Sequence, residues 1–399
     1  MLKSIIIIFF KIITLKVRIK FSIPKNIDII IFDRTSYDII FPIIKKYKKK
    51  IVIDGRLLNI KEIYINFSFF NELKKHGLKN LSLAYYSFLI KAIKPKLVMT
   101  IIDNSWMFGK LTKIFFNKIN FLSIQHHARY EMSFNENKYK KKLVDYNPNN
   151  FFFHDNLLTI GQFDIDYFKR FKIFINKAEV VGSIGLYNYF TSLNLKKKQK
   201  NYYKYDLCII SDAIISGAGK RHGIKNLEND YSRYLKHMIN IIKRNNLSFV
   251  FCLKRIENKT LSREMDYLNK FLSEEDVNFL IKNSSYRSFK SKYVNYDYML
   301  NSNVTVALYS TMLRENIALG RKSLSINFLN GNTTNFPIDK ICHIKKSSEN
   351  QLEHRLISLL RMSNKNYIKK LKNKNKYLID NNILDTKKKI LKKIDSLLK

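Results

Sequence analysis

The sequence predicts an α/β protein built from two doubly wound halves, and three observations carry that expectation. Apolar runs along the chain are short and rich in Ile, Val and Phe, the composition of parallel strands buried on both faces. They alternate with longer amphipathic stretches, as helices covering such a sheet require. A polar, lysine-rich segment, TSLNLKKKQKNYYKY at 191–205, divides the series in two. At 399 residues, each half is long enough to bury its own core.

The first half, assigned to 1–190, has six expected strands: IDIIIFD (27–33), KIVIDG (50–55), KLVMTIID (96–103), FLSIQHH (121–127), NLLTIG (156–161) and AEVVGSI (178–184). Helices fit between them, for example around Tyr37–Tyr47, Leu81–Ile93 and Met107–Phe116. After the 191–205 link, a second half over 206–345 repeats the scheme. Its strands are DLCIIS (206–211), LSFVFCL (247–253), VNFLIKN (277–283), VTVALYS (304–310) and KSLSINF (322–328). Residues 346–399 follow as basic helices. Segment 364–399 holds 12 Lys and 3 Asp, with Ile390, Leu391, Ile394, Leu397 and Leu398 on one helix face. Such a helix either closes the protein with its lysines in water or rests on an anionic membrane. In doubly wound sheets ligands bind beyond the carboxyl ends of the strands, so a cleft between two facing halves is the expected site.

Composition limits the function classes. Hydrophobic residues at 46% and aromatics at 14% exclude a disordered chain. The formal charge of +41 has two readings. AT-rich coding raises Lys, Ile, Asn, Phe and Tyr together, whereas an anionic membrane, a charged glycan or a nucleic acid would select for basic residues. Lysines are scattered over both halves and no nucleic-acid module is visible, which argues against specific nucleic-acid binding. Cys208, Cys252 and Cys342 show no metal-binding spacing and are expected to be buried thiols in a reducing compartment. The first apolar run, Ile5 to Phe10, is broken by Lys11, and no stretch of roughly 18 apolar residues follows. A cytoplasmic protein, able to rest on the inner face of a membrane, is therefore expected.

Residues 308–327, LYSTMLRENIALGRKSLSIN, read as strand end, short helix, glycine stop and strand. Ser310 can cap the helix, but a capping box would need Glu or Gln at position 313, which is Leu313. Glu315 is therefore no reciprocal cap. Leu313 and Ile317 share one face that can meet the core, leaving Thr311 and Glu315 on another that can meet a cleft. Free N–H groups at the helix start attract phosphate, and a carboxylate one turn on can accept from a ribose diol. A plain surface ion pair is the alternative for Glu315. Gly320 then stops the helix, with Arg321 and Lys322 near its negative end.

Further candidates also fall at strand ends. SDAIISGAGKRHG (211–223) offers Gly217 and Gly219 for close backbone approach to a pyrophosphate, with Lys220 and Arg221 to neutralise it. CLKR (252–255) adds Arg255. In the first half SIQHHARY (123–130) ends a strand in two histidines, and His126 suits general base chemistry. Asp103 and Asp33 end neighbouring strands, and either could serve as base or orient a histidine. Spacing does not choose among the three.

The stretches KPKLVMTIIDN (94–104), FLSIQHHAR (121–129), LLTIGQFDIDYF (157–168), VVGSIGLYNYF (180–190) and SNVTVALYSTMLRENIALGRKSLSIN (302–327) together resemble GT-B-type glycosyltransferases of bacterial surface-carbohydrate synthesis. The plan is similar to that of polysialyltransferase-like and glycerophosphate-polymerising transferases, and more distantly to nucleotide-sugar 2-epimerases. The resemblance implies two Rossmann-like domains facing a cleft, with a nucleotide-sugar donor in the second and a glycan or lipid-linked acceptor in the first. It further implies that Ser310 and Thr311 meet donor phosphate and that Glu315 meets its ribose. The donor is a substrate and no separate cofactor is implied. No DxD motif stands on a strand end, consistent with metal-independent transfer, in which basic residues and helix ends stabilise the leaving nucleotide.

Overall fold

The computed structural model describes residues 18–54, 62–129, 152–192, 203–212, 226–256, 259–287, 293–328, 336–338, 341–345, 347–372 and 374–399. Two six-stranded parallel sheets organise them. In the first half the chain runs β1 (Arg18–Lys20), β2 (Ile29–Phe32), α1 (Arg34–Ile44), β3 (Lys50–Ile53), β4 (Glu62–Tyr64), α2 (Phe67–His76), α3 (Leu81–Ile93), β5 (Leu97–Thr100) and α4 (Trp106–Phe115). It continues through β6 (Asn120–Ile124), β7 (Phe153–Thr159), α5 (Gln162–Arg170), β8 (Phe174–Val180) and α6 (Ile184–Ser192). The sheet order is β3-β2-β5-β6-β7-β8, while β1 and β4 form a small parallel pair of their own.

The second half comprises β9 (Tyr205–Ile210), α7 (Leu227–Asn245), β10 (Phe249–Ile256), α8 (Lys259–Phe271), α9 (Glu274–Lys282), β11 (Ser284–Arg287), α10 (Val294–Leu300) and β12 (Ser302–Ala307). There follow α11 (Thr311–Ala318), β13 (Lys322–Asn327), β14 (His343–Lys345), α12 (Glu349–Arg361), α13 (Asn364–Lys370), α14 (Asn375–Leu378) and α15 (Thr386–Leu398). Its sheet order is β11-β10-β9-β12-β13-β14. Each sheet therefore grows in both directions from a switch point, between β2 and β5 in the first half and between β9 and β12 in the second. Those are the crevices where doubly wound sheets take ligands.

The buried strands follow the apolar runs because both faces are covered: every residue of β2, β5 and β13 is buried. VNFLIKN is the exception. Residues 277–282 lie in α9, and the strand is β11, beginning at Ser284. The helix-start signal outweighs the apolar run: Ser273 accepts from the Asp276 N–H at 3.3 Å, and Glu274, Glu275 and Asp276 fill the first turn. β8 begins earlier than its apolar run because it is an edge strand whose Lys177 and Glu179 face solvent, and β7 begins earlier through the buried polar residues His154 and Asp155.

The chain returns to its first half at the end. α15 packs on α1 and α6, with Ile390 and Ile394 fully buried. Lys393 pairs with Glu179 at 2.7 Å and Lys46 with Asp395 at 2.9 Å. The crossing is close: the Asp380 N–H donates to the Ile160 carbonyl at 2.9 Å, and a Cβ on Gly161 would stand 2.1 Å from the Leu378 oxygen.

Candidate functional site at the facing strand ends

Asp33 and Asp103 flank the first switch point. Asp33 follows β2 with φ of 90°, a conformation that Asp tolerates better than most side chains. Its N–H donates to the Ile53 carbonyl at 2.7 Å, and its own carbonyl accepts from Ser36 at 3.1 Å. Asp103 is 2% exposed and held in a two-point pair with Arg129, whose Nε donates to Oδ2 at 2.7 Å while Nη2 meets the other oxygen. The pair fixes the Arg129 guanidinium against the Asp103 carboxylate.

Gln125 follows β6 and is fully buried, and its amide fixes the loop that it opens. Its oxygen accepts from the Ile160 N–H at 3.1 Å, and its nitrogen donates to the His127 carbonyl at 3.0 Å and to Asp164 at 2.8 Å. This presents His126, half-buried, and His127, exposed, with ring centroids 4.2 Å apart. Beyond β3 a pocket of about 350 Å³ is lined by Arg34, Tyr37, Asp54, Glu62, Tyr64 and Tyr86.

In the second half the turn between β12 and α11 is fastened by Asp212 at the end of β9. Its carboxylate accepts the N–H groups of Leu308 at 2.8 Å and Tyr309 at 3.4 Å. Burial pushes its pKa up to about 6 against the pull of Lys254 and these donors. Ser310 then caps α11, its Oγ accepting from the Met312 N–H at 3.3 Å. Leu313 and Ile317 are fully buried. Thr311 and Glu315 point across to the first half. Thr311 Oγ1 accepts from the Ala128 N–H at 3.0 Å, and Glu315 accepts from Ser183, which precedes α6. Tyr296 on α10 donates to the same carboxylate, its hydroxyl 3.1 Å from both oxygens. Glu315 is 2% exposed, and burial raises its pKa to about 6 against the hydrogen bonds of Ser183 and Tyr296.

Arg314, beside it in sequence, is fully buried. Nη1 lies 3.2 Å from Asp164 Oδ1, Nη2 pairs with Oδ2 and also donates to the Leu378 carbonyl at 2.7 Å, and the guanidinium sits 5.0 Å from the Phe163 ring centre. Arg314 thus ties α11 to α5 and to the returning chain. Arg321 and Lys322 serve elsewhere than the expected end of α11. Arg321 donates to the Leu300 and Ser302 carbonyls, and Lys322 donates to those of Leu359 and Met362 at the end of α12. Burial lowers the Lys322 pKa to about 8.

Gly217, Gly219, Lys220 and Arg221 lie outside the described residues, and Arg255 is placed only as part of β10. Among the described residues no three His, Cys, Asp or Glu side chains cluster as a metal ion would need. Five contributors escaped sequence reasoning: Asp164, Ser183, Asp212, Tyr296 and Arg314. Asp212 could have been found, since it lies just beyond β9 as Asp33 lies just beyond β2. Asp164, Arg314 and Ser183 become visible only when the two halves are brought together, and Tyr296 only when α10 packs beside α11.

No family model matches the chain, and no curated protein matches it in sequence. Solved structures do match in fold. UDP-N-acetylglucosamine 2-epimerase from Rickettsia bellii aligns with a TM-score of 0.54 at 15% identity, over 94% of this chain and 97% of that one. The S. aureus MnaA–UDP co-structure gives 0.53 at 12%, over 93% and 97%. Methanocaldococcus jannaschii UDP-GlcNAc 2-epimerase in complex with UDP-GlcNAc and UDP gives 0.52 at 14%, over 94% and 100%. At these identities the likeness shows the fold, two Rossmann-like domains of GT-B type.

Proposed function

We propose that the protein is a glycosyltransferase that moves a sugar from a nucleotide-activated donor to an acceptor of surface-polysaccharide synthesis, with the donor held by the second half. The observation that carries this reading is the direction of α11: its capped start and its Glu315 face the first half, where the carboxyl ends of both sheets meet. In this reading the start of α11 and the basic residues Lys220, Arg221 and Arg255 hold the departing phosphates, and Glu315 takes the ribose diol. To do so Glu315 must exchange its bonds to Ser183 and Tyr296 for the two sugar hydroxyls, so donor binding and the contact between the halves are coupled.

His126 is the proposed base for the acceptor hydroxyl, with Asp33 across the switch point as the second candidate and Asp103 holding Arg129 in place. The pocket beyond β3, with Arg34 and its tyrosines, suits a polar acceptor. Metal-independent transfer is part of the proposal.

Calorimetry with nucleoside diphosphates and their sugars tests the donor site. UDP and UDP-sugars should bind the wild type, and Glu315→Ala should weaken binding about tenfold or more, roughly 1.4 kcal/mol. If no member of the panel binds the wild type, the reading fails. A nucleotide-sugar 2-epimerase is the second reading, favoured because two of the matching folds are named as such enzymes. Product analysis separates the two. An epimer formed from donor alone assigns epimerisation, whereas sugar transfer that requires an acceptor assigns the transferase.

A further inference from the structure

We propose that the outer face of α2, together with the end of β1 beside it, docks the first half onto an anionic lipid bilayer. α2 is a well-formed helix: Asn66 caps it by accepting from the Ser68 N–H at 2.9 Å, and the Gly77 N–H closes it onto the Leu73 carbonyl at 2.8 Å. Its inner face is anchored. Glu72 is buried and paired with Lys91, and Phe69 packs edge-on to Phe88 at 5.8 Å and Tyr85 at 6.2 Å. That anchoring fixes what points outward: Phe67, 93% exposed, Phe70, 58% exposed, and the exposed Lys74 and Lys75.

β1 enlarges this face. Lys20 pairs with Tyr64, and the Ile65 N–H donates to the Lys20 carbonyl at 3.0 Å, so Phe21 leaves β1 beside the residues that lead into Phe67. Phe21 is 76% exposed and Ile19 45%. Large apolar side chains this exposed, on a rigid capped helix, mark an interaction surface.

Charge selects the occupant. The outward face of α2 carries lysines and no carboxylate, since Glu72 points inward. Phenylalanines flanked by lysines are the composition of a helix lying in a membrane interface, with the rings among the acyl boundary and the ammonium groups at anionic headgroups. A second copy of the same face would set lysine against lysine, which opposes self-association. α15, the other basic amphipathic helix, is excluded because its Ile390 and Ile394 are already covered by protein. The inference rests on this face alone and not on the transfer reaction, so either can fail without the other.

Flotation of the full chain with phosphatidylcholine vesicles, with and without about 30 mol % phosphatidylglycerol, tests it. The wild type should float with the anionic vesicles and not with the neutral ones. Phe67→Ser/Phe70→Ser should cut flotation about tenfold or more while leaving the thermal midpoint unchanged, because both rings are exposed. Lys74→Glu/Lys75→Glu should also weaken it. Phe67→Trp in a Trp106→Phe background, which removes the chain's single natural tryptophan, should shift its emission to the blue when anionic vesicles are added. The proposal is overturned if the wild type does not float, or if the phenylalanine variant floats as well as the wild type. Dependence on the lysines alone would assign a soluble polyanion and overturn it as well. So would a tryptophan emission already blue-shifted without vesicles and unmoved by them, which would mean that protein covers the face.

Discussion

Glu315 is 2% exposed, so ionising it removes a charge from water that Ser183 and Tyr296 replace only in part. Its pKa rises from 4.5 to about 6 as a result. The folded state then binds more protons than the unfolded state between those two values, and stability falls as pH rises through that window. At pH 7 the penalty is on the order of 2 kcal/mol, at 1.36 kcal/mol per unit. Glu315→Gln keeps an acceptor for both donors and removes the charge. Urea denaturation should find this variant more stable than wild type at pH 7 and no more stable at pH 4, with donor binding weakened at both. Arg314 presents the opposite case. Arg314→Met leaves Asp164 buried with a charge and only neutral donors, which should cost about 3–5 kcal/mol. Arg314→Met/Asp164→Asn removes both charges and should recover much of that loss in the same denaturation series. Additive losses would show that the pair does not act as a unit.

At the scale of elements, the site depends on backbones that approach without side chains between them. A Cβ on Gly185, in the first turn of α6, would stand 2.4 Å from the Tyr296 hydroxyl and 3.3 Å from Glu315 Oε1. Gly185→Ala should therefore destabilise by about 1–3 kcal/mol and disturb the Glu315 carboxylate. Tyr296→Phe removes the obstructing oxygen, so Gly185→Ala/Tyr296→Phe should melt closer to wild type than the single alanine variant. A melting point for the pair below that of Gly185→Ala would place the clash elsewhere. The elements most legible in the sequence were those whose signal is local: short apolar runs for β2, β5 and β9, and the Ser310 cap with its Gly320 stop for α11. VNFLIKN misled because seven apolar-rich residues fit a strand or a helix turn equally well, and the decisive Ser273 cap lay upstream of the run. The partners of Glu315 were illegible for a different reason. Ser183 lies in the other half, 132 residues away, and Tyr296 on a separate helix of the same half, 19 residues away, and no local period encodes either contact.

Across the whole molecule, the last helix adds to the contacts that Thr311, Arg314 and Glu315 make between the two halves by carrying the chain back onto the first. The end of α14 passes Gly161 at Leu378, and α15 then starts beside Gly182 and packs on α1 and α6, so the end of the chain is fastened to the first half. Its net positive charge reads in isolation as a membrane-binding feature, but the apolar stripe that would enter lipid is spent on the protein: Ile390 and Ile394 are fully buried, and even Lys393 is drawn in to Glu179. Two substitution pairs separate these roles. Ile390→Asp/Ile394→Asp places carboxylates in a covered apolar seam and should lower stability by several kcal/mol, read as a loss of cooperative melting or a large fall in midpoint. Lys388→Glu/Lys392→Glu changes only exposed ends of the same helix and should shift stability by no more than about 0.5 kcal/mol. The lysine pair also discriminates between membrane faces. It lowers the net charge of α15 by four units and leaves α2 unchanged, so it should leave flotation on anionic vesicles close to wild type, whereas Lys74→Glu/Lys75→Glu makes the same charge change at α2 and should weaken it. Equal loss from both pairs would mean that the bilayer senses total charge and not one face, and the docking orientation assigned to α2 would fall with it.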